Sequence, residues 1–127
     1  MPAPRVLYIE DRIDNRNLVK RVLMAEDIEM LEASNAVDGI KIALAELPDL
    51  ILMDISMPGM DGLTATGILR RYPELNHIPI VALTANVMKG DREKSLDAGC
   101  DGYIPKPIDI DRFSVDIKNY IQQGRRR

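Results

Sequence analysis

The sequence predicts an α/β fold, a flavodoxin-like doubly wound sheet of five parallel strands in the order 2-1-3-4-5 with five helices. Three observations carry this. Strand-like apolar runs begin at residues 5, 28, 50, 78 and 102, a spacing that suits repeated βα units. The first, third and fourth runs are apolar almost throughout, as in strands buried on both faces of a parallel sheet. The segments between them carry apolar residues three or four positions apart, the period of a helix face. Right-handed crossovers leave few topologies for five such units, and the flavodoxin-like order is favoured among them.

Taken in order, Arg5-Val6-Leu7-Tyr8-Ile9 is the first strand. A helix follows, with Leu18, Val22 and Ala25 on one stripe and Val19 and Leu23 beside it. Ile28 to Ala33 is a weaker strand. The second helix carries Val37, Ile40, Leu44 and Leu47, and Pro48 stops it. Leu50 to Met53 is the third strand. The third helix carries Leu63, Ile68, Leu69 and Tyr72 and ends before Pro73. Ile78 to Leu83 is the fourth strand. The fourth helix, about Lys89 to Ala98, offers mainly Leu96 and Ala98 to a core and is otherwise charged, so it is expected to be weakly anchored. Gly102-Tyr103-Ile104 is a short fifth strand. Ile110, Phe113, Ile117, Tyr120 and Ile121 form the last helix, which ends near Gly124.

With 127 residues the chain reads as one domain, 1–127, with a core of about 5–122 and a basic tail, 123–127, read as a solvated terminus. A hydrophobic content of 46% excludes disorder by composition. No apolar run is long enough to span a membrane, and no apolar region follows Met1-Pro2-Ala3-Pro4-Arg5 to make a secretory signal. One cysteine, Cys100, excludes an internal disulfide and a multi-thiolate metal site, and is read as a small buried apolar residue. A single histidine, His77, excludes a histidine-rich site. A net charge of −3 argues against nucleic acid as the primary ligand, and no helix-turn-helix follows Gln122. Chemistry must therefore come from carboxylates, hydroxyls and lysines.

Ligands of doubly wound sheets sit beyond the carboxyl ends of the strands. Strand one ends in Glu10-Asp11, strand three in Asp54 and strand four in Thr84, while Lys106 follows strand five. Each alone has a plain structural explanation: an acid capping the next helix, a strand-end hydroxyl, a solvated ammonium. Their conjunction at one edge does not. Three crowded carboxylates repel, which raises a pKa unless a cation compensates, and oxygen ligands suit Mg²⁺. Mg²⁺ bound by one or two carboxylates favours phosphate oxygen as a further ligand. Lys106 and Thr84 match what phosphoryl oxygens need in an in-line transfer, and Asp54 can be the nucleophile. After Asp54 comes a tight turn, Ile55-Ser56-Met57-Pro58-Gly59-Met60-Asp61-Gly62, in which the Ser56 carbonyl is a candidate metal ligand. Ala85 is small enough to leave the phosphoryl position open. Whether Lys106-Pro107 is cis is open from sequence.

These residues resemble the response-regulator receiver domain of two-component signalling, over about Arg5 to Gln122. The likeness lies in Tyr8-Ile9-Glu10-Asp11, Pro48-Asp49-Leu50-Ile51-Leu52-Met53-Asp54 with the turn after it, Ile80-Val81-Ala82-Leu83-Thr84-Ala85, Ala98-Gly99-Cys100-Asp101-Gly102-Tyr103 and Ile104-Pro105-Lys106-Pro107. The resemblance implies that Asp54 accepts a phosphoryl group from a phosphohistidine on a sensor histidine kinase or histidine phosphotransfer protein. It implies a magnesium site of Glu10, Asp11, Asp54 and the Ser56 carbonyl, with Asp11 a direct ligand and Glu10 acting largely through water. Thr84 and Lys106 would contact the aspartyl phosphate, Tyr103 would be the switch aromatic moving with Thr84, and Lys106-Pro107 would be cis. Ser56 and Asn86 would flank the phosphoryl site and tune its hydrolysis.

Physically, phosphorylation adds charge that Thr84 and Lys106 can bind only in that state. Thr84 moving inward vacates space for Tyr103, and the helix 4, strand 5, helix 5 surface becomes the output face for an unknown downstream protein. Tyr103 also admits a plainer reading as an edge aromatic packed on helix four. Met57, Met60 and Met88 are read as ordinary packing in preference to a docking rim. The expected protein is a cytoplasmic signalling module that catalyses only its own phosphorylation and dephosphorylation. It is expected to bind no membrane and no nucleic acid directly. A stand-alone regulator is weakly favoured over a receiver excised from a hybrid kinase, because the first strand starts soon after Met1. The enzyme alternative is an aspartate-nucleophile phosphohydrolase of the haloacid-dehalogenase kind. It needs Asp-x-Asp, whereas Asp54-Ile55-Ser56 lacks the second acid. A flavin or nucleotide binder ranks last, since acidic Asp11-Arg12-Ile13-Asp14-Asn15 stands where a Gly-rich phosphate loop would be.

Overall fold

A computed structural model describes residues 2–85 and 90–124, with Asp91 described by its backbone alone. The sequence readings at Asn86, Met88, Lys89 and residues 125–127 lie outside the described residues. Five strands, β1 (Arg5–Ile9), β2 (Glu29–Ala33), β3 (Leu50–Asp54), β4 (Ile80–Thr84) and β5 (Gly102–Pro105), form one sheet in the order β2-β1-β3-β4-β5. Every pairing is parallel. The helices are α1 (Ile13–Ala25), α2 (Ala36–Glu46), α3 (Gly62–Leu69), α4 (Asp91–Ala98) and α5 (Ile110–Gln123), with a 3-10 turn at Pro73–Leu75. The predicted fold class and strand order are those observed.

The sheet separates two apolar layers. On one side Leu7, Ile9, Ile51, Met53, Ile80 and Ala82 meet α2 and α3. On the other, Val6, Tyr8, Leu50, Leu52, Val81, Leu83 and Ile104 meet α1 and α5 through Val19, Leu23, Phe113 and Ile117. Central strands β3 and β4 are buried along their whole length, as their unbroken apolar runs require. Met57 and Met60 pack into the first layer, as ordinary packing.

Three helix faces differ from the sequence reading. In α1 the buried residues are Val19 and Leu23, not the Leu18, Val22, Ala25 stripe. In α2 the buried residues are Ala36, Gly39 and Ala43, while Val37 and Leu47 are exposed. A β-carbon on Gly39 would lie 2.4 Å from Ile9 Cδ1, so close approach to β1 demands small residues where periodicity selects large ones. Leu47 is the left-handed C-cap of α2, at φ 47°, ahead of Pro48. In α4 Leu96 is 45% exposed and Ser95 is the buried residue. Among its described residues that helix turns a hydroxyl, not the expected Leu96, to the interior.

At the opposite end of the sheet from the site, Arg70 ties several segments together. Its guanidinium donates to the carbonyls of Gly99 and Ile78 at 2.9 and 2.8 Å and to Asp101 Oδ2 at 2.7 Å, and Asp101 Oδ2 also accepts from Ile80 N. The C-terminal end of α4 is thereby fixed to β4 and α3. Cys100 is buried with Sγ 3.7 Å from Thr66 Oγ1, and burial pushes its thiol up to about 11.

Candidate functional site

Side-chain alternation decides what reaches the carboxyl edge of the sheet. Tyr8, Leu52 and Ile104 belong to the α1–α5 layer, so the residues two positions on, Glu10, Asp54 and Lys106, emerge on that same side. Ile80 and Ala82 belong to the other layer, which places Thr84 on the side where Tyr103 packs. Ala82 pairs with Tyr103 and Thr84 with Pro105, so Thr84 and Tyr103 are diagonal positions on one face, two register steps apart. The acidic group and lysine therefore lie on one face, the hydroxyl and aromatic on the other, and the strand ends join them.

Glu10, Asp11 and Asp54 each place a carboxylate oxygen within 4.8 Å of the others. Glu10 and Asp54 are buried and Asp11 is exposed. Lys106 Nζ lies 2.9 Å from Asp54 Oδ1 and 3.4 Å from Glu10 Oε1. The backbone N–H of Ser56 donates to Asp54 Oδ1 at 3.2 Å, and Thr84 is buried with its carbonyl accepting from Lys106 N at 2.8 Å. The Lys106-Pro107 bond is cis, as the resemblance implied. Tyr103 is partly buried, with Arg92 Cζ 5.6 Å from the centre of its ring.

The electrostatics are those of crowded acids. Burial, then the neighbouring Glu10, push the Asp54 carboxyl up to about 6, against the pull of Lys106. Burial and Glu10 likewise raise Asp11. Burial also opposes ionisation of Glu10, but its hydrogen bonds with Asp54 and Asn15 outweigh that and hold it down at about 2. Lys106 is raised, because Asp54 and Glu10 outweigh its own burial.

Several neighbours of this pocket were not read from the sequence. Tyr8 donates its hydroxyl to Glu10 Oε1 at 3.0 Å, and Asn15 Nδ2 donates to the same oxygen at 3.0 Å. Arg16 Nη1 donates to the Glu10 carbonyl at 2.8 Å while its Nε pairs with Glu32 at 2.9 Å. The signal for Tyr8 was available: a tyrosine in a buried strand needs a partner for its hydroxyl, and Glu10 follows two residues later on the same face.

The sequence profile of the family described as "Response regulator receiver domain" matches residues 6–118. The chain belongs to this family. It is 40% identical over 116 residues to the polar-differentiation response regulator DivK of Brucella anthropi, covering 91% of this chain and 94% of that protein. The same regulator of Brucella ovis matches at 40% over the same shares. Among solved structures, the receiver domain of a sensor histidine kinase from Pseudomonas aeruginosa PAO1 superposes with a TM-score of 0.87 at 29% identity, covering 94% of this chain and 98% of that one. That structure has a magnesium ion coordinated in its active-site cleft. A CheY-like receiver domain protein of Methanospirillum hungatei superposes with a TM-score of 0.87 at 25% identity, covering 95% of each chain. This receiver is thus a signalling domain of two-component systems, and none of its described helices is long and apolar enough to cross a membrane.

Proposed function

We propose that this receiver is a phosphoacceptor in which Asp54 takes a phosphoryl group from a phosphohistidine of a sensor histidine kinase or histidine phosphotransfer protein. The observation that supports it is the buried Asp54 carboxylate with Lys106 at 2.9 Å and two further acids within 4.8 Å. Three carboxylates face one ammonium, and burial, then the neighbouring Glu10, raise the pKa of Asp54. An all-oxygen donor set of this kind fits Mg²⁺. Asp11, Asp54 and the Ser56 carbonyl would hold the ion, with Glu10 behind them. When bound, it neutralises the acids and the charge on a phosphoryl group.

Asp54 supplies the attacking oxygen. Lys106 and Thr84 offer a cation and a hydroxyl to the phosphoryl oxygens, contacts that strengthen as the group arrives. The two faces of the sheet are then coupled at their ends: Thr84 drawn toward the phosphoryl group frees space for Tyr103, its neighbour on the α4 side. A cavity of about 620 Å³ lies between β5 and α5, lined by Tyr103, Pro105, Pro107, Arg112, Phe113 and Tyr120. It belongs to the α4, β5, α5 surface, the proposed docking face for a downstream protein. The chain would act as one domain, core about 5–122, in the cytoplasm, with no chemistry beyond its own phosphorylation and dephosphorylation.

The test is incubation with acetyl phosphate and Mg²⁺ followed by intact-mass measurement of wild type and Asp54→Asn. One labile phosphoryl on the wild type and none on the variant is expected. Label that persists on Asp54→Asn overturns the assignment.

A further inference from the structure

Glu10 is wholly buried, and its two carboxylate oxygens are treated unequally. Oε1 accepts from the Tyr8 hydroxyl and the Asn15 amide, each at 3.0 Å, with Lys106 Nζ at 3.4 Å. Oε2 accepts from the Arg12 backbone N–H at 3.3 Å. The main chain of Glu10 is fixed as well: its N–H donates to the Ala33 carbonyl at 3.0 Å and its carbonyl accepts from Arg16 at 2.8 Å. Tyr8 is itself fully buried under α1 and α5, so its hydroxyl has no water to turn to. A phenol locked by packing is a rigid donor, and a rigid donor fixes the rotation of the carboxylate it binds.

We propose that Tyr8 is a positioning residue for the cation site: with Asn15 it pins Oε1 of Glu10 and so fixes the rotation of the carboxylate that shares its pocket with Asp11 and Asp54. The proposal rests on the reading of that pocket as an Mg²⁺ site. Without the phenol, the Glu10 carboxylate keeps its place in the chain but gains rotational freedom, and part of the order that favours the ion is lost. Removing partners of this outer kind typically weakens metal binding.

The experiment is an Mg²⁺ titration of full-length, metal-free protein followed by amide NMR, on wild type, Tyr8→Phe and Asn15→Ala. Each variant should bind Mg²⁺ more weakly, by on the order of tenfold. Thermal melts of the metal-free proteins run in parallel. A Tyr8→Phe protein that melts earlier but binds Mg²⁺ as tightly as wild type overturns the proposal, because the hydroxyl would then serve packing alone. If Tyr8→Phe does not fold, the wild type decides: the Tyr8 Cζ resonance, in protein labelled with ¹³C at that position, should move on saturation with Mg²⁺. A resonance that stays put overturns the proposal. Wild type that binds no Mg²⁺ overturns this proposal and the parent reading together, whereas wild-type binding with indifferent variants overturns this one only.

Discussion

Lys106 Nζ sits 2.9 Å from Asp54 Oδ1, and the Asp54 carboxyl is nonetheless pushed up to about 6. A cation at that distance pulls a carboxylate's pKa down. The opposing push comes first from burial and then from Glu10, which keeps its own charge because its hydrogen bonds favour the ionised form. Three carboxylates thus share one pocket with a single lysine. That crowding makes the pocket receptive to a further cation and costs stability while none is bound.

The first prediction concerns that cost. A folded-state pKa raised above the ordinary 3.8 contributes stability at low pH that is lost as pH rises through about 6. Glu10 has the opposite sign: held down at about 2, it contributes stability above its ordinary 4.5 that is lost on acidification below it. Metal-free protein should thus be more stable near pH 5 than near pH 7.5, and weaken again below about pH 4. Asp54→Asn should remove the fall between pH 5 and 7.5 and stabilise the metal-free protein at pH 7.5 by on the order of 1–2 kcal/mol. Urea melts at both pH values check this. A wild type that grows steadily more stable from pH 5 to 7.5 contradicts it.

Lys106 is both the counter-ion of the resting pocket and the proposed anchor of the phosphoryl group. Lys106→Gln should slow phosphorylation by acetyl phosphate by roughly 10²–10³-fold, the typical loss of one aimed donor to developing charge. Its Mg²⁺ affinity should be unchanged or tighter, since a competing cation has been removed from the acids. Mass-spectrometric time courses and Mg²⁺ titrations separate the two effects. A variant phosphorylated at the wild-type rate would remove Lys106 from the mechanism.

The sheet was legible because its strands are buried on both faces, which leaves unbroken apolar runs such as Leu50-Ile51-Leu52-Met53. The pocket was legible because each polar residue stands at the place where such a run ends. Helix faces were less so. Periodicity finds large apolar residues, and α2 meets β1 through Ala36, Gly39 and Ala43, where only small side chains permit the approach. In α4 the interior position is Ser95, a residue that no hydropathy pattern selects. Tyr8 reads by hydropathy as one more strand residue, and only its hydroxyl, which needs a partner when buried, points to Glu10 two positions on.

Gly62 opens α3 against the turn that carries Asp54. A β-carbon there would meet the Asp54 carbonyl oxygen at 2.3 Å and Ile55 Cα at 2.9 Å, both main-chain atoms that cannot rotate aside. Gly62→Ala should destabilise by about 1–3 kcal/mol and slow phosphorylation of Asp54 through the displaced strand end. Gly67 lies in the same helix with nothing within 4 Å of its would-be β-carbon. Gly67→Ala should stabilise by about 0.5–1 kcal/mol and leave phosphorylation unchanged. Denaturant melts of the pair isolate the clash from helix propensity. Equal shifts in the two variants would mean that the turn yields.

Arg92 stands on the exposed side of α4 with its guanidinium carbon 5.6 Å from the Tyr103 ring centre. A cation over a ring at an exposed site is worth about 0.5–1 kcal/mol. In the proposed switch the ring leaves this position when Thr84 moves, so the contact is made in the resting state and lost in the active one. A contact present in one state only shifts the equilibrium by its own free energy. Arg92→Ala should therefore favour the active state and tighten binding of beryllofluoride with Mg²⁺ by roughly two- to fivefold, with Arg92→Lys between the two. Titrations read through tyrosine fluorescence report it directly, because the chain has no tryptophan. Weaker or unchanged binding by Arg92→Ala would show that the ring keeps its guanidinium partner in both states, or that Tyr103 does not move.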